Sequence, residues 1–224
     1  MNAGMAMPLL LGASYAWPDG RLTAAAVTLV RSTNGATFLV DTGAWHQRRR
    51  LQAVLDHLGV GTAELDGVIV THLHWDHCMN FDLFTGVPLL VPAKEWDRVA
   101  TRALDHATPV YIRKLLAEEA RVQPFEPGSS LGVDLIETPG HTCGHMAVGI
   151  QTDEGRVVVS GDALPTRTAA TSGLPHSWHG SEEDAASSVR YLLHNFDIII
   201  PGHDAPFSAN HASGILPTLG RDRW

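Results

Sequence analysis

Basic residues are in short supply: 16 Lys plus Arg stand against 24 Asp plus Glu, a formal charge of −8 over 224 residues. Such a balance provides no basic field for nucleic acid, so nonspecific phosphate binding is disfavoured from the start. Cysteine is scarcer still. Cys78 and Cys143 cannot build a disulfide framework, and the expected compartment is the cytoplasm. No apolar run reaches the length that spans a bilayer, so no membrane partner is expected. The run Met7-Pro8-Leu9-Leu10-Leu11-Gly12 has no Lys or Arg before it, unlike a secretory leader, and reads better as a first strand. Internal repeats, low-complexity tracts and a convincing linker are also missing, so residues 1–224 are expected to form one domain.

What is present is an ordinary globular composition, 44% hydrophobic and 18% charged, with enough length for a real core. Histidine is the surplus. Thirteen of them nearly match the Lys plus Arg count, and they point toward metal. Four apolar runs end in residues of metal-ligand type. Gly67–Thr71 opens into His72-Leu73-His74-Trp75-Asp76-His77, and Leu135–Thr138 ends in Pro139-Gly140-His141. Val157–Ser160 ends in Gly161-Asp162, and Ile198–Ile200 in Pro201-Gly202-His203. Short apolar runs bounded by Gly and Pro read as buried strands. Ligand types at strand ends, on the rim of a core, are placed to converge on one cleft.

Elsewhere, Asn34-Gly35 between Leu22–Arg31 and Ala36–Val40 predicts a two-residue hairpin turn, because both residues tolerate positive φ. Leu51, Val54, Leu55 and Leu58 share one helical face that Gly59 stops. A short strand is expected at Leu89–Val91, then a helix from near Pro92. Thr108-Pro109 reads as an N-cap and first-turn proline of a helix through Tyr111, Leu115 and Leu116. Strands fill 131–162, with a turn near Asp153-Glu154-Gly155. Residues 164–180 lack a period and read as loop. Ser181 with Glu182, Glu183 and Asp184 opens a helix that buries Val189, Leu192 and Leu193 before the last strand. Two β-rich halves, each followed by helix, predict two sheets packed face to face with helices outside.

Alternate residues of an extended segment point the same way, so His72 and His74 can hold one ion together. A turn then carries Asp76 and His77 toward a second position. His141 can complete the first set and His203 the second, and Asp162, with two carboxylate oxygens, can bridge both. Bridged ions about 3.5–4 Å apart share one hydroxide, the nucleophile of two-metal hydrolysis. A mononuclear site is the alternative.

These residues resemble the metallo-β-lactamase superfamily. Its His-x-His-x-Asp-His signature stands as 72–77, its Thr-Pro-Gly-His as 138–141, its Gly-Asp as 161–162 and its terminal Gly-His as 202–203. The resemblance runs from about Val40 to Phe207. It implies an α/β fold, the αββα sandwich of two packed mixed sheets, with a dinuclear Zn2+ site held by His72, His74, Asp76, His77, His141, Asp162 and His203. Asp76 and Asp162 are the expected catalytic carboxylates. His74 favours zinc, since diiron members carry Glu there, although imidazole also suits iron and manganese.

Residues 71–77 with Phe81–Phe84 and Pro88–Val91 resemble N-acyl-homoserine lactonases. Those enzymes often place Tyr three residues beyond the bridging Asp, where this chain has Pro165. Leu39–Gly43, Ser177-Trp178 and Pro201–Phe207 resemble the compact animal metallo-β-lactamase-domain-containing proteins. The expected function is therefore a zinc hydrolase acting, through the bridging hydroxide, on a small ester-like carbonyl, best a lactone. The alternatives are a phosphodiesterase or nuclease and, in another class, a mononuclear-iron sulfur dioxygenase or metal-binding module. The expected partner is a small molecule; a homodimer is allowed.

His145 resembles a family position behind the metal. Asp41 ends a strand and either orients a ligand histidine or caps a turn. Tyr111 walls the cleft or packs in a helix; His176, Trp178 and His179 line the pocket or form plain surface loop. Cys78 and Cys143 flank ligands, with burial the simpler role. Arg48-Arg49-Arg50 reads as a solvated helix face. His46, His57, His106, His194 and His211 carry no separable signal.

Overall fold

A computed structural model describes residues 3–18, 20–101, 107–109, 111–118 and 121–215; His106 lies outside them. Strand β1 (Met5–Leu10) begins a six-stranded sheet. A separate hairpin follows, β2 (Ala13–Trp17) and β3 (Gly20–Ala24). Then β4 (Val27–Arg31) pairs antiparallel with β1 and with β5 (Thr37–Val40). The sheet grows by parallel additions of β6 (Gly67–Ile69), β7 (Leu89–Pro92) and β8 (Val122–Phe125). Helices α1 (Arg48–Leu58), α2 (Trp75–Cys78), α3 (Ala93–Ala100) and α4 (Ile112–Ala117) belong to this half.

The second half carries β9 (Asp134–Glu137), β10 (Met146–Thr152), β11 (Gly155–Gly161), α5 (Arg167–Ser172), α6 (Glu182–Asn195), β12 (Ile198–Pro201), β13 (Phe207–Ser208) and β14 (His211–Ile215). Its sheet runs β14-β13-β12-β11-β10-β9, with β11 and β12 parallel and the other pairs antiparallel. Among the described residues, no helix is long and apolar enough to cross a membrane.

Neighbouring residues of the central strands enter different cores, which explains the unbroken apolar runs. Val30, Phe38, Ile69 and Leu90 face Leu135, Val148, Val157, Val159 and Ile200 between the sheets. Leu29, Leu39, Val68 and Leu89 point the other way, against Leu51 and Leu55 of α1, Val99 of α3, and Ile112 and Leu116 of α4. Val158, Ile199 and Phe207 meet Val189 and Leu192 of α6 on the far face. Each such fully buried side chain contributes about 1.5–3 kcal/mol. The layers are helix, sheet, sheet, helix, as expected.

Several local expectations change. The single run Leu22–Arg31 is two strands, broken where the Ala26 N–H leaves the sheet to bond Gly202 O at 2.8 Å. The Asn34-Gly35 hairpin forms, but its loop spans Ser32–Ala36 and only Gly35 has positive φ, +94°. Asn34 holds the turn by side chain instead, its Oδ1 accepting from the Ala36 N–H at 3.1 Å. The helix expected from Thr108-Pro109 starts at Ile112 with Tyr111 at its N-cap, and the Thr108 hydroxyl accepts a bond from Arg98 at 3.0 Å. The stretch 164–180 contains α5, capped by Thr166 and closed by Gly173 at φ +78°. With only Ala169 buried, α5 shows no apolar period. Two short strands follow β12, so Ile198–Pro201 is not the last strand.

Candidate metal centre

The ends of β6, β9, β11 and β12 meet at one edge of the sandwich. Because β11 and β12 are parallel, Gly161 pairs with Pro201 and the following Asp162 and His203 emerge side by side. The Met146 N–H bonds Thr71 O at 3.0 Å, joining the His72 strand to the opposite sheet. His74 precedes α2, and Asp76 and His77 lie in its single turn. Gly202 is required by close approach: a Cβ there would stand 2.1 Å from Asp162 Oδ1. All seven expected ligands are buried and brought together.

Their donor atoms form three overlapping groups, His72–His74–His141, His72–His77–Asp162 and Asp76–His77–His203, each within 4.8 Å. His74 Nδ1 lies 2.9 Å from His141 Nε2. His77 Nε2 is 3.3 Å from Asp162 Oδ1. Asp162 Oδ2 is 3.3 Å from His141 Nε2 and 3.1 Å from His203 Nε2, which is 3.5 Å from Asp76 Oδ2. Tetrahedral zinc with bonds of roughly 2.0–2.1 Å separates its ligands by about 3.3 Å, close to these spacings. His72 Nε2, His77 Nε2 and Asp162 Oδ1 are buried without a hydrogen bond among the described residues. Each such orphan costs about 1–3 kcal/mol, which a cation would offset. The donor set fits metal binding.

The remote ring nitrogens of His72, His77, His141 and His203 are already engaged, which fixes what faces inward. Asp41 Oδ2 accepts from the Thr71 hydroxyl at 2.9 Å, leaving Thr71 Oγ1 to accept from His72 Nδ1 at 3.1 Å. The same Oδ2 accepts from His77 Nδ1 at 2.7 Å, and Oδ1 from the Thr71 N–H at 2.7 Å. His141 Nδ1 donates to Ser177 O and His203 Nδ1 to Ala24 O, each at 3.1 Å. Asp41 therefore orients histidines from a strained backbone, φ +60°, instead of capping a turn. His145 stands behind the cluster, its Nε2 accepting the Asp162 N–H at 3.0 Å and its Nδ1 meeting Thr138 Oγ1 at 2.8 Å.

Burial and charge split the histidines. Burial and the surrounding imidazoles hold His72 and His145 well below the usual range, and burial pushes His141 down to about 3. Burial also opposes charge on His77 and His203, yet the carboxylates of Asp41 and Asp162 for His77, and Asp162 for His203, raise both. Burial would lift Asp162, but His203, His77 and His141 hold it well below the carboxylate range.

A cleft of about 570 Å³ opens over the cluster, lined among others by Trp75, Asp76, His176 and His179. Tyr111 does not wall it. It lines an adjoining apolar hollow of about 350 Å³ with Trp45, Trp75, Met79, Ala107 and Pro109, because α4 begins beyond Pro109. Half-buried Trp178 lines neither space. Cys78 is buried and Cys143 exposed.

Four contributors carried no sequence signal in isolation or were passed over. Glu95 of α3 is fully buried; its Oε2 accepts the Leu73 N–H and its Oε1 the Gly144 N–H, both at 3.2 Å, so it ties two ligand loops together. Arg98 pairs with it at 2.9 Å. Arg21 and Thr23 enter the cleft from β3. Pro18-Asp19-Gly20 is a turn signal that marks this hairpin in the sequence.

The sandwich and the donors at its edge define the class, and the metallo-beta-lactamase superfamily profile matches residues 20–203. The chain belongs to that superfamily and is a metal-dependent hydrolase of its fold. It is 33% identical over 186 residues to the metallo-beta-lactamase domain-containing protein 1 of Xenopus laevis, covering 81% of this chain and 71% of that one. An N-acyl homoserine lactonase of Bacillus sp. is 28% identical over 162 residues, 69% of this chain and 62% of the lactonase. The crystal structure of a quorum-quenching N-acyl homoserine lactone lactonase shares the fold with a TM-score of 0.71 at 21% identity, covering 98% of this chain and 99% of that one.

Proposed function

We propose that the chain hydrolyses a small ester-like carbonyl compound, best a lactone, with two zinc ions held by the seven clustered residues. The observation that carries this is the placement of Asp162, with Oδ1 toward His77 and Oδ2 toward both His141 and His203. A carboxylate so placed suits a pair of ions. His72, His74 and His141 would hold one, Asp76, His77 and His203 the other, with Asp162 between. When bound, such ions supply Lewis acidity and acidify water toward neutral pH.

This chain's residues do the rest. Asp76, lining the cleft, accepts or orients a proton there. Trp75 and Ala107 belong to both the cleft and the apolar hollow, so a carbonyl over the donors can lay an acyl arm against Trp45, Met79 and Tyr111. That arrangement, with the lactonase relative, favours an acylated lactone. A phosphodiester is the second reading, supported by the cationic Arg21 in the cleft.

Metal analysis together with a panel of lactones, thioesters and bis-p-nitrophenyl phosphate tests the proposal. About two zinc ions per chain and lactone turnover are expected. Turnover of the phosphate diester alone, or a single iron, would overturn it. Asp162→Ala and His74→Ala should lose metal and activity together.

A further inference from the structure

The β2–β3 hairpin is turned inside out. Its pairing sets Ser14 opposite Thr23 and Ala16 opposite Arg21 on one face, with Tyr15 opposite Leu22 on the other. A ribbon laid on a protein ordinarily turns its apolar face inward. Here Tyr15 is 59% and Leu22 47% exposed, whereas Arg21 and Thr23 line the cleft. Polar side chains aimed at a void, while apolar ones face solvent, serve something that fills the void.

The void continues past the donors. A second hollow of about 370 Å³ shares Arg21, His176 and His203 with the cleft and is walled by Ser14, Thr166 and Thr168. The Arg21 guanidinium donates to Ser14 Oγ at 3.2 Å and has no carboxylate partner among the described residues. In a chain with an acidic surplus, such a cation at the mouth of a site is conspicuous. The cleft thus runs from an aromatic end at Trp45 and Tyr111, over the donors, to a cationic, hydroxyl-lined end.

We propose that Arg21 determines substrate specificity by holding a carboxylate or phosphate group that the substrate carries on the side of the scissile carbonyl opposite its acyl arm. The inference rests on the hydrolase reading above and adds the charge of the substrate to it. A planar guanidinium binds either anion through two parallel hydrogen bonds, which a lysine cannot reproduce.

Three esters with one acyl group separate the possibilities: phenyl hexanoate, 3-carboxyphenyl hexanoate and 3-phosphonooxyphenyl hexanoate. With metal-loaded protein, kcat/KM for a charged ester should exceed that for the neutral one by about tenfold, mainly through KM. The better charged ester identifies the anion. Arg21→Gln should bring the ratio close to one, and Arg21→Lys should recover part of it. A wild-type ratio near one, or a ratio that Arg21→Gln leaves intact, overturns the proposal.

Binding makes the two readings separable. Metal-free protein should bind the alcohol product of the better charged ester, 3-hydroxybenzoate or 3-hydroxyphenyl phosphate, about tenfold more weakly after Arg21→Gln. Equal binding of both products by wild type and variant refutes the anion site whatever the kinetics. Arg21-dependent binding with no ester turned over refutes the ester-hydrolase reading and leaves the anion site standing.

Discussion

The two ends of the donor cluster should respond differently to acid. His77 and His203 are raised above 6.5, so near pH 6 the metal-free protein carries protons on both. A cation bound through their Nε2 atoms must displace those protons. His72 and His141 are depressed, His141 to about 3, and hold none at that pH. Loading the Asp76–His77–His203 end should therefore release about two protons, and its affinity should fall about a hundredfold per pH unit below 6.5. The His72 and His141 imidazoles contribute no such release. Zinc calorimetry at pH 5.5, 6.0 and 6.5, in buffers of different ionisation enthalpy, counts the protons of each event. Stepwise acid dialysis with metal analysis should show one ion leaving before the other. Equal pH slopes for both ions, or no released proton, would refute the assigned charge pattern.

Three further outcomes follow from the packing. His141 stays neutral in the folded metal-free protein down to about 3, while the unfolded chain protonates near 6.5. Its contribution is thus intact above pH 6.5 and lost as pH falls, by at most about 5 kcal/mol. His77 and His203 have the opposite sign, stabilising below 6.5, so His141→Gln should flatten the acid limb of the metal-free denaturation curve relative to wild type. Glu95→Gln removes the carboxylate that pairs with Arg98 and leaves one loop N–H without an acceptor, and should cost about 3 kcal/mol by urea denaturation. Gly202→Ala forces a methyl group toward Asp162 Oδ1, and should lower bound metal and activity while far-ultraviolet dichroism keeps its native shape.

The layered fold was legible because doubly buried strands leave continuous apolar runs, and Gly or Pro marks where each stops. Val68-Ile69 and Leu89-Leu90 announce themselves in this way, as does α1 with Gly59 at φ +66°. The donors were equally visible, since few residue types bind cations and all seven follow such runs; the structure gathers them. Glu95 was invisible. The bonds that tie it to the ligand loops go to the amides of Leu73 and Gly144, and backbone groups leave no trace in side-chain identity. Arg21 was obscured by reading one strand where the chain breaks at Ala25-Ala26, a break made by the distant carbonyl of Gly202. Helix α5 escaped because two caps and one buried alanine define it, without an amphipathic stripe.

Asp41 shows how little freedom this edge of the sandwich retains. Its left-handed backbone would suit glycine, which would relieve roughly 1–2 kcal/mol of steric conflict. Glycine, though, would strip the acceptor from the Thr71 amide and hydroxyl and from His77 at one stroke. Asparagine would tolerate the dihedral but bring a neutral amide to face a charged imidazole. The site thus keeps a residue that its own main chain disfavours, and a stabilising substitution at position 41 would trade rigidity of the backbone for misaimed ring nitrogens.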